Sequence, residues 1–146
     1  MSSTDELKKS VVCSLIRVHQ RQKNNIENML SCEKIGIYPA QHRLLMELAR
    51  DNEISQKELS KRLHVSPATI TISIKKLIKD GYVQKNSLRD DNRYNMITIT
   101  DKGRSIIEKS VRVFDVAENK MLEGFTESEL EIFYAMLIRM YNNLDG

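Results

Sequence analysis

The chain has 146 residues, 40% of them hydrophobic and 29% charged, with a formal net charge of only +3. That is the size of one ordinary domain, or one domain with an added oligomerisation element, and the composition of neither a disordered tail nor a histone-like polycation. The charge is unevenly spread: residues 55–93 hold nine Lys and Arg against four Asp and Glu, a local +5 that leaves −2 for the rest.

The opening MSSTDELKKSVVCSLIRVHQ puts acids ahead of lysines and is broken by charge, unlike the apolar centre of a secretory signal. No stretch approaches the roughly 18 apolar residues of a membrane helix, so a cytoplasmic protein with no membrane contact is expected. From Leu7 onward, Val11, Leu15, Val18, Ile26, Met29 and Leu30 keep helical spacing with Gln22 as one polar interruption, which predicts a long first helix to about Ser31. Cys13 and Cys32 stand without a C-x-x-C, which argues against a disulfide framework or a zinc ribbon.

Pro39 suits a first helical turn, and Ala40, Leu44, Leu45 and Leu48 form the stripe of a second, shorter helix. Ser55 and Glu58 have capping-box spacing, so a third helix starts at Gln56, buries Leu59 and Leu63, and ends at His64 and Val65. Ser66 is a second good N-cap, and Pro67 behind it loses no hydrogen bond at the first helical position. A fourth helix therefore begins almost at once, with Ile70, Ile74, Leu77 and Ile78 as its inward stripe.

The other face of that fourth helix carries Thr69, Thr71, Ile72, Ser73, Lys75, Lys76 and Lys79. Two helices joined by so short a turn, the second small and polar at its start and basic further on, suit a major groove about 12 Å wide. A helical hairpin with merely solvated lysines is the plain alternative. Beyond Asp80 and Gly81, YVQKN and NMITI alternate like strands around the charged SLRDDNRY, which predicts a β-hairpin with a long tip. A hairpin there is a wing, and Arg93, with Arg89 second, suits the narrow minor groove. Asp91 either holds that guanidinium by accepting its hydrogen bonds or simply forms the turn.

Thr100 caps a fifth helix with the stripe Ile106, Ile107, Val111, Phe114, Ala117, Met121 and Leu122, stopped by Gly124. Thr126 and Glu129 form another capping box before Leu130, Phe133, Leu137, Met140 and Leu144. Three amphipathic helices outside a small winged core carry more apolar surface than that core covers, so a dimer is expected.

This order of elements, with SQKELSKRLHVSPATITISIKKLIKDGYV and RDDNRYNMITITDKG, resembles the MarR family of bacterial transcription regulators over nearly the whole chain. The most specific match is the wing motif, Asp-x-Arg and then Thr seven residues later at a helix start, met by Asp91, Arg93 and Thr100. The resemblance implies a mainly α fold with a small β wing (α+β). A winged helix-turn-helix domain at 35–103 would bind DNA, and 1–34 with 104–146 would form a helical dimerisation region. It further implies a homodimeric repressor on a near-palindromic double-stranded operator, released by a small anionic or phenolic effector. The implied DNA contacts are Ser66, Pro67, Thr69, Thr71, Ile72, Lys75, Lys76, Arg89, Asp91 and Arg93. Many relatives carry an arginine where Ile72 or Ser73 stands, so guanine reading gives way to thymine-methyl contacts and an A/T-rich operator.

Family geometry would place an effector between helices 1 and 2 and the winged domain, where His19, Tyr38, Arg43 and Met46 are candidate lining residues, with plain core or surface roles as the alternative. Cys13 lies near where peroxide-sensing members keep a reactive cysteine, and Tyr38 where they carry a tyrosine that hydrogen-bonds it. A thiol-based redox repressor is thus one alternative to ligand control, against the commoner small buried cysteine. A winged-helix protein-interaction module is another alternative, and the basic charge over 55–93 tells against it. His19, His42 and His64 lack metal-ligand spacing, and no nucleophile-base set or phosphate loop is present, so neither metal, cofactor nor enzymatic activity is expected.

Overall fold

The computed structural model describes residues 1–51, 53–87 and 95–145. α1 spans Ser3–Cys32 and begins on a capping box in which Ser2 Oγ accepts from Asp5 N at 3.2 Å and Ser2 N donates to Asp5 Oδ2 at 3.4 Å. Thirty residues at about 1.5 Å each make a rod of roughly 45 Å, longer than the body it joins. Only its C-terminal part is buried, through Ile26 and Leu30. Leu7, Val11, Leu15 and Val18, expected along a buried stripe, are exposed in the single chain because the rod outruns the core.

α2 spans Pro39–Arg50 and buries Leu44, Leu45 and Leu48. Ala40 is exposed, contrary to the stripe expected of it. Gln41 and His42 turn inward instead, and Gln41 Oε1 satisfies Tyr38 N at 2.9 Å. Polar side chains are tolerated inside when their hydrogen bonds are made.

β1 is the two residues Ile54–Ser55, followed by α3 at Gln56–Leu63 and α4 at Pro67–Lys79. Ser55 Oγ accepts from Glu58 N at 3.1 Å, but the Glu58 carboxylate bonds Arg62 Nε at 3.2 Å, so only half of the expected capping box forms. His64 takes the left-handed conformation at φ 52° and closes the turn, helped by Ser60 Oγ donating to Val65 O at 2.6 Å. In α4 Ile70, Ile74 and Leu77 are buried, while Ile78, expected inside, is exposed.

β2 at Val83–Ser87 pairs antiparallel with β3 at Asn95–Ile99, in the register Val83 with Ile99 and Lys85 with Ile97. β1 adds to the far side of β3, with Ile54 opposite Ile97, giving the sheet order β1-β3-β2. The sheet, α2, α3 and α4 enclose the core around Leu45, Leu48, Leu59, Leu77 and Ile97. α5 at Asp101–Met121 packs on both α1 and α2. Its buried seam is Gly103, Ile107, Ser110, Val113 and Ala117, rather than the expected line through Val111 and Met121, because Ser110 sits inside and Met121 faces out. α6 at Glu127–Leu144 follows Gly124, whose φ is 84°, and has no buried residue. The fold is thus mainly helical with a small antiparallel wing sheet.

Candidate nucleic-acid interface and the cleft behind it

The start of α4 is built by its own cap. Ser66 Oγ accepts from Thr69 N at 3.2 Å and lies 2.9 Å from Thr69 Oγ1, and Pro67 follows in the first turn. With Ile70, Ile74 and Leu77 turned into the core, the opposite face presents Thr69, Ile72, Lys75 and Lys76 outward, and Ser66 and Pro67 are exposed at its tip. Ile72 is 71% exposed, so its side chain stands free on the outward face between Thr69 and Lys75. Thr71 differs from these. Its hydroxyl donates to Pro67 O at 2.9 Å and lies 3.3 Å from Gln56 Oε1, so it is half-buried against α3 and helps brace the turn.

Lys76 also differs from Lys75. Its ammonium lies 4.6 Å from the centre of the Tyr38 ring, a cation–π contact joining the outward helix to the start of α2. Arg89, Asp91 and Arg93 lie outside the described residues. The base of the wing is closely clamped. Thr100 N donates to Tyr82 O at 3.0 Å, and Thr100 Oγ1 donates to Gly81 O at 2.6 Å while accepting from Gly103 N at 3.1 Å. Lys102 Nζ reaches Asp80 O at 2.7 Å and lies 5.0 Å from the Tyr82 ring centre. Sequence reasoning identified Thr100 as a cap but not Lys102 and Gly103, whose roles depend on contacts with residues about 20 positions earlier.

Behind this face α1, α2 and α5 enclose an open cleft of about 790 Å³. His19, Tyr38, Arg43 and Met46 all line it, with Ile26, Phe114 and Glu118. Arg62 reaches it too, but its guanidinium is occupied by the carboxylates of Asp51, Glu58 and Glu47. The hydrogen bonds that Arg62 donates to Asp51, then to Glu58, raise its pKa further above its ordinary value.

His42 was missed. It is buried in the wall of the cleft, stacked on Phe114 at 3.7 Å between ring centres and 11° between planes. Its Nδ1 lies 2.7 Å from Ser110 Oγ. Burial lowers its pKa to about 4, against a smaller opposing pull from Asp115. The only sequence signal was a histidine next to an apolar stripe, and its partner is 68 residues away.

Cys13 is exposed in the single chain, not buried as its small size suggested. About 19 residues of continuous helix, roughly 28 Å, lie between it and the end of α1, so Cys13 and Tyr38 do not meet within one chain. No cluster of three His, Cys, Asp or Glu residues suited to a metal occurs among the described residues. None of their helices is long and apolar enough to cross a membrane.

A braced two-helix turn with an outward polar and basic second helix, joined to an antiparallel hairpin, is the architecture of winged helix-turn-helix transcription regulators. A family model described as MarR family matches residues 37–94. The chain is 32% identical over 111 residues to the uncharacterized HTH-type transcriptional regulator YdgJ of Bacillus subtilis (strain 168), covering 76% of this chain and 68% of that one. It belongs to the MarR family and is a DNA-binding transcription regulator, not an enzyme. Its fold matches that of a mutant MarR from E. coli complexed with operator DNA, at a TM-score of 0.82 and 20% identity over 96% of this chain and 99% of that one. It also matches an organohalide-sensing regulator in its 2,4-dichlorophenol-bound form, at a TM-score of 0.86 and 16% identity over 99% of this chain and 86% of that one.

Proposed function

We propose that the protein is a homodimeric repressor that binds a near-palindromic operator and leaves it when a small ligand enters the cleft. The observation that carries the DNA-binding mode is the braced outward face of α4. Residues 35–103 form the DNA-binding domain, with Ser66, Pro67, Thr69, Ile72, Lys75 and Lys76 presented to the major groove. Thr71 braces that helix against Gln56 of α3. Arg93, with Arg89 second, enters the minor groove, and the Asp91 carboxylate is suited to accept from the Arg93 guanidinium there. Ile72 favours thymine methyls and so an A/T-rich half-site. A dimer seated on promoter DNA blocks access to it, which makes repression the natural outcome.

Residues 1–34 and 104–146 form the dimerisation region. The support is that α6 buries nothing in its own chain while Ile132, Phe133, Tyr134, Met136 and Ile138 stand exposed, as do Val11, Val12 and Ile16 of α1. Apolar surface on that scale is covered in a stable soluble protein. Ligand control is supported by Tyr38, which lines the cleft and at the same time holds Lys76 of α4, so a ligand that displaces the tyrosine moves a DNA-facing lysine. A phenol-bound relative of the same fold is consistent with a small aromatic effector.

The test is electrophoretic shift of the DNA upstream of the protein's own gene at two salt concentrations, with light scattering for oligomeric state. Salt-sensitive retention over competitor DNA by a dimer is expected. Arg93→Ala should weaken that binding by about 1–3 kcal/mol. Salt-independent binding, or an unchanged affinity in the variant, refutes the proposed mode.

A further inference from the structure

We infer that the cleft recognises a flat, un-ionised aromatic hydrogen-bond donor through Nε2 of His42, and discriminates against a ligand that offers this nitrogen only an acceptor. The inference rests on the reading of the cleft as an effector site and assigns the chemistry of that site. Ser110 Oγ lies 2.7 Å from His42 Nδ1 and 3.2 Å from Ile107 O. A serine hydroxyl has one hydrogen and a carbonyl oxygen only accepts. Both contacts are hydrogen bonds together only if Ser110 donates to Ile107 O and accepts from Nδ1–H. The imidazole proton then sits on Nδ1, and Nε2 carries the lone pair.

That lone pair opens on the cleft. No buried side-chain nitrogen or oxygen among the described residues lacks a partner, and no bond to Nε2 is formed, so Nε2 is accessible through the wall that His42 lines. The ring is fixed in place by its stack on Phe114, which lines the same wall. Burial keeps this imidazole neutral near pH 7, so the site remains an acceptor. A carboxylate placed there sets lone pair against lone pair, whereas a phenolic O–H or an aromatic N–H completes the one open valence of the buried cluster. A site built to pair a donor rejects an analogue that lacks it, because its own polar group is then left dry and unpaired.

Phenol, anisole and benzoate are the probes, because anisole keeps the ring and oxygen of phenol without the proton. The full-length protein, with nitrogen-15 in its histidines, is titrated with each probe while imidazole resonances are followed by NMR. The expected free state has the Nδ1–H tautomer at His42, and phenol shifts the Nε2 resonance and binds at least about tenfold more tightly than anisole or benzoate. His42→Phe keeps a ring against Phe114 and should abolish the preference for phenol over anisole. Ser110→Ala, which unties the tautomer, should reduce that preference several-fold. An Nε2–H tautomer, equal binding of phenol and anisole, or an undiminished preference in His42→Phe overturns the inference. Should His42→Phe not fold, the wild-type titration and Ser110→Ala decide alone. A protein that shifts its operator fragment but ignores phenol sinks this inference and leaves the regulator standing; one that binds phenol but no DNA does the reverse.

Discussion

A single methyl group added at Gly103 tests how the wing is joined to the rest of the molecule. A Cβ at this position would stand 2.2 Å from Tyr82 O, 2.7 Å from Ile99 Cγ1 and 3.1 Å from Tyr82 C. The first of these is backbone, and Tyr82 O is already fixed by accepting from Thr100 N at 3.0 Å. It has no room to yield without opening the joint between α4, β2 and α5. Alanine is favoured over glycine inside a helix by about 0.5–1 kcal/mol. Overpacking costs typically about 1–3 kcal/mol, and a clash with held backbone belongs at the upper end. The net expectation for Gly103→Ala is a loss of about 2 kcal/mol, or a Tm lower by roughly 4–8 °C for a chain of this size. Urea unfolding at matched protein concentration measures it, since a dimer's midpoint depends on concentration. A variant as stable as the parent, or one stabilised by the helix preference alone, would show that α5 does not lie so close on the Tyr82 backbone.

Three further outcomes follow from the same contacts. Lys75 is exposed on the outer face of α4, and Lys75→Ala, which removes one lysine from each protomer of the bound dimer, should make the dependence of log K on log salt shallower by about 1.8, read by fluorescence anisotropy over a salt series; an unchanged slope would remove it from the phosphate contacts. Phe133→Glu, in the exposed apolar face of α6, should shift the protein toward monomer in sedimentation and weaken operator binding in step; a variant that stays fully dimeric contradicts an interface through α6. For His42, burial lowers the folded-state pKa from 6.5 to about 4, so the unfolded chain takes up the proton first as pH falls. The resulting stability is fully present above about pH 6.5 and is lost progressively down to about pH 4, by roughly 3 kcal/mol at most. Urea titrations across that range should show a slope that His42→Phe reduces; equal slopes would refute it.

The parts of the fold legible in the sequence were those set by local chemistry. Ser55, Ser66, Thr100 and Thr126 each accept an amide three residues on, and each helix starts where those side chains place it. The wing strands were visible because Val83, Ile97 and Ile99 alternate with polar neighbours. β1 was not, since two residues show no alternation and Ile54 is drawn into the sheet only by Ile97, 43 positions away. Apolar stripes misled at their edges. Ala40 and Ile78 fit helical periodicity yet stand exposed, and Val111 outranked Ser110 only because a hydroxyl does not count as apolar.

The same distinction divides the functional surfaces. The outward, basic side of α4 was legible because it is the remainder once Ile70, Ile74 and Leu77 have been given to the core. The four cleft residues chosen by position do line one cavity, but the group with the most constrained chemistry there is His42, and nothing near it in sequence reveals its state. Its neutrality comes from burial against Phe114, and its tautomer from Ser110, both contributed by α5. A polar pair made across two helices costs little when both members are satisfied and much when one is removed. Ser110 therefore belongs inside although hydrophobic periodicity passes over it, and the valence that this pair leaves open on His42 is available to a ligand rather than to the fold.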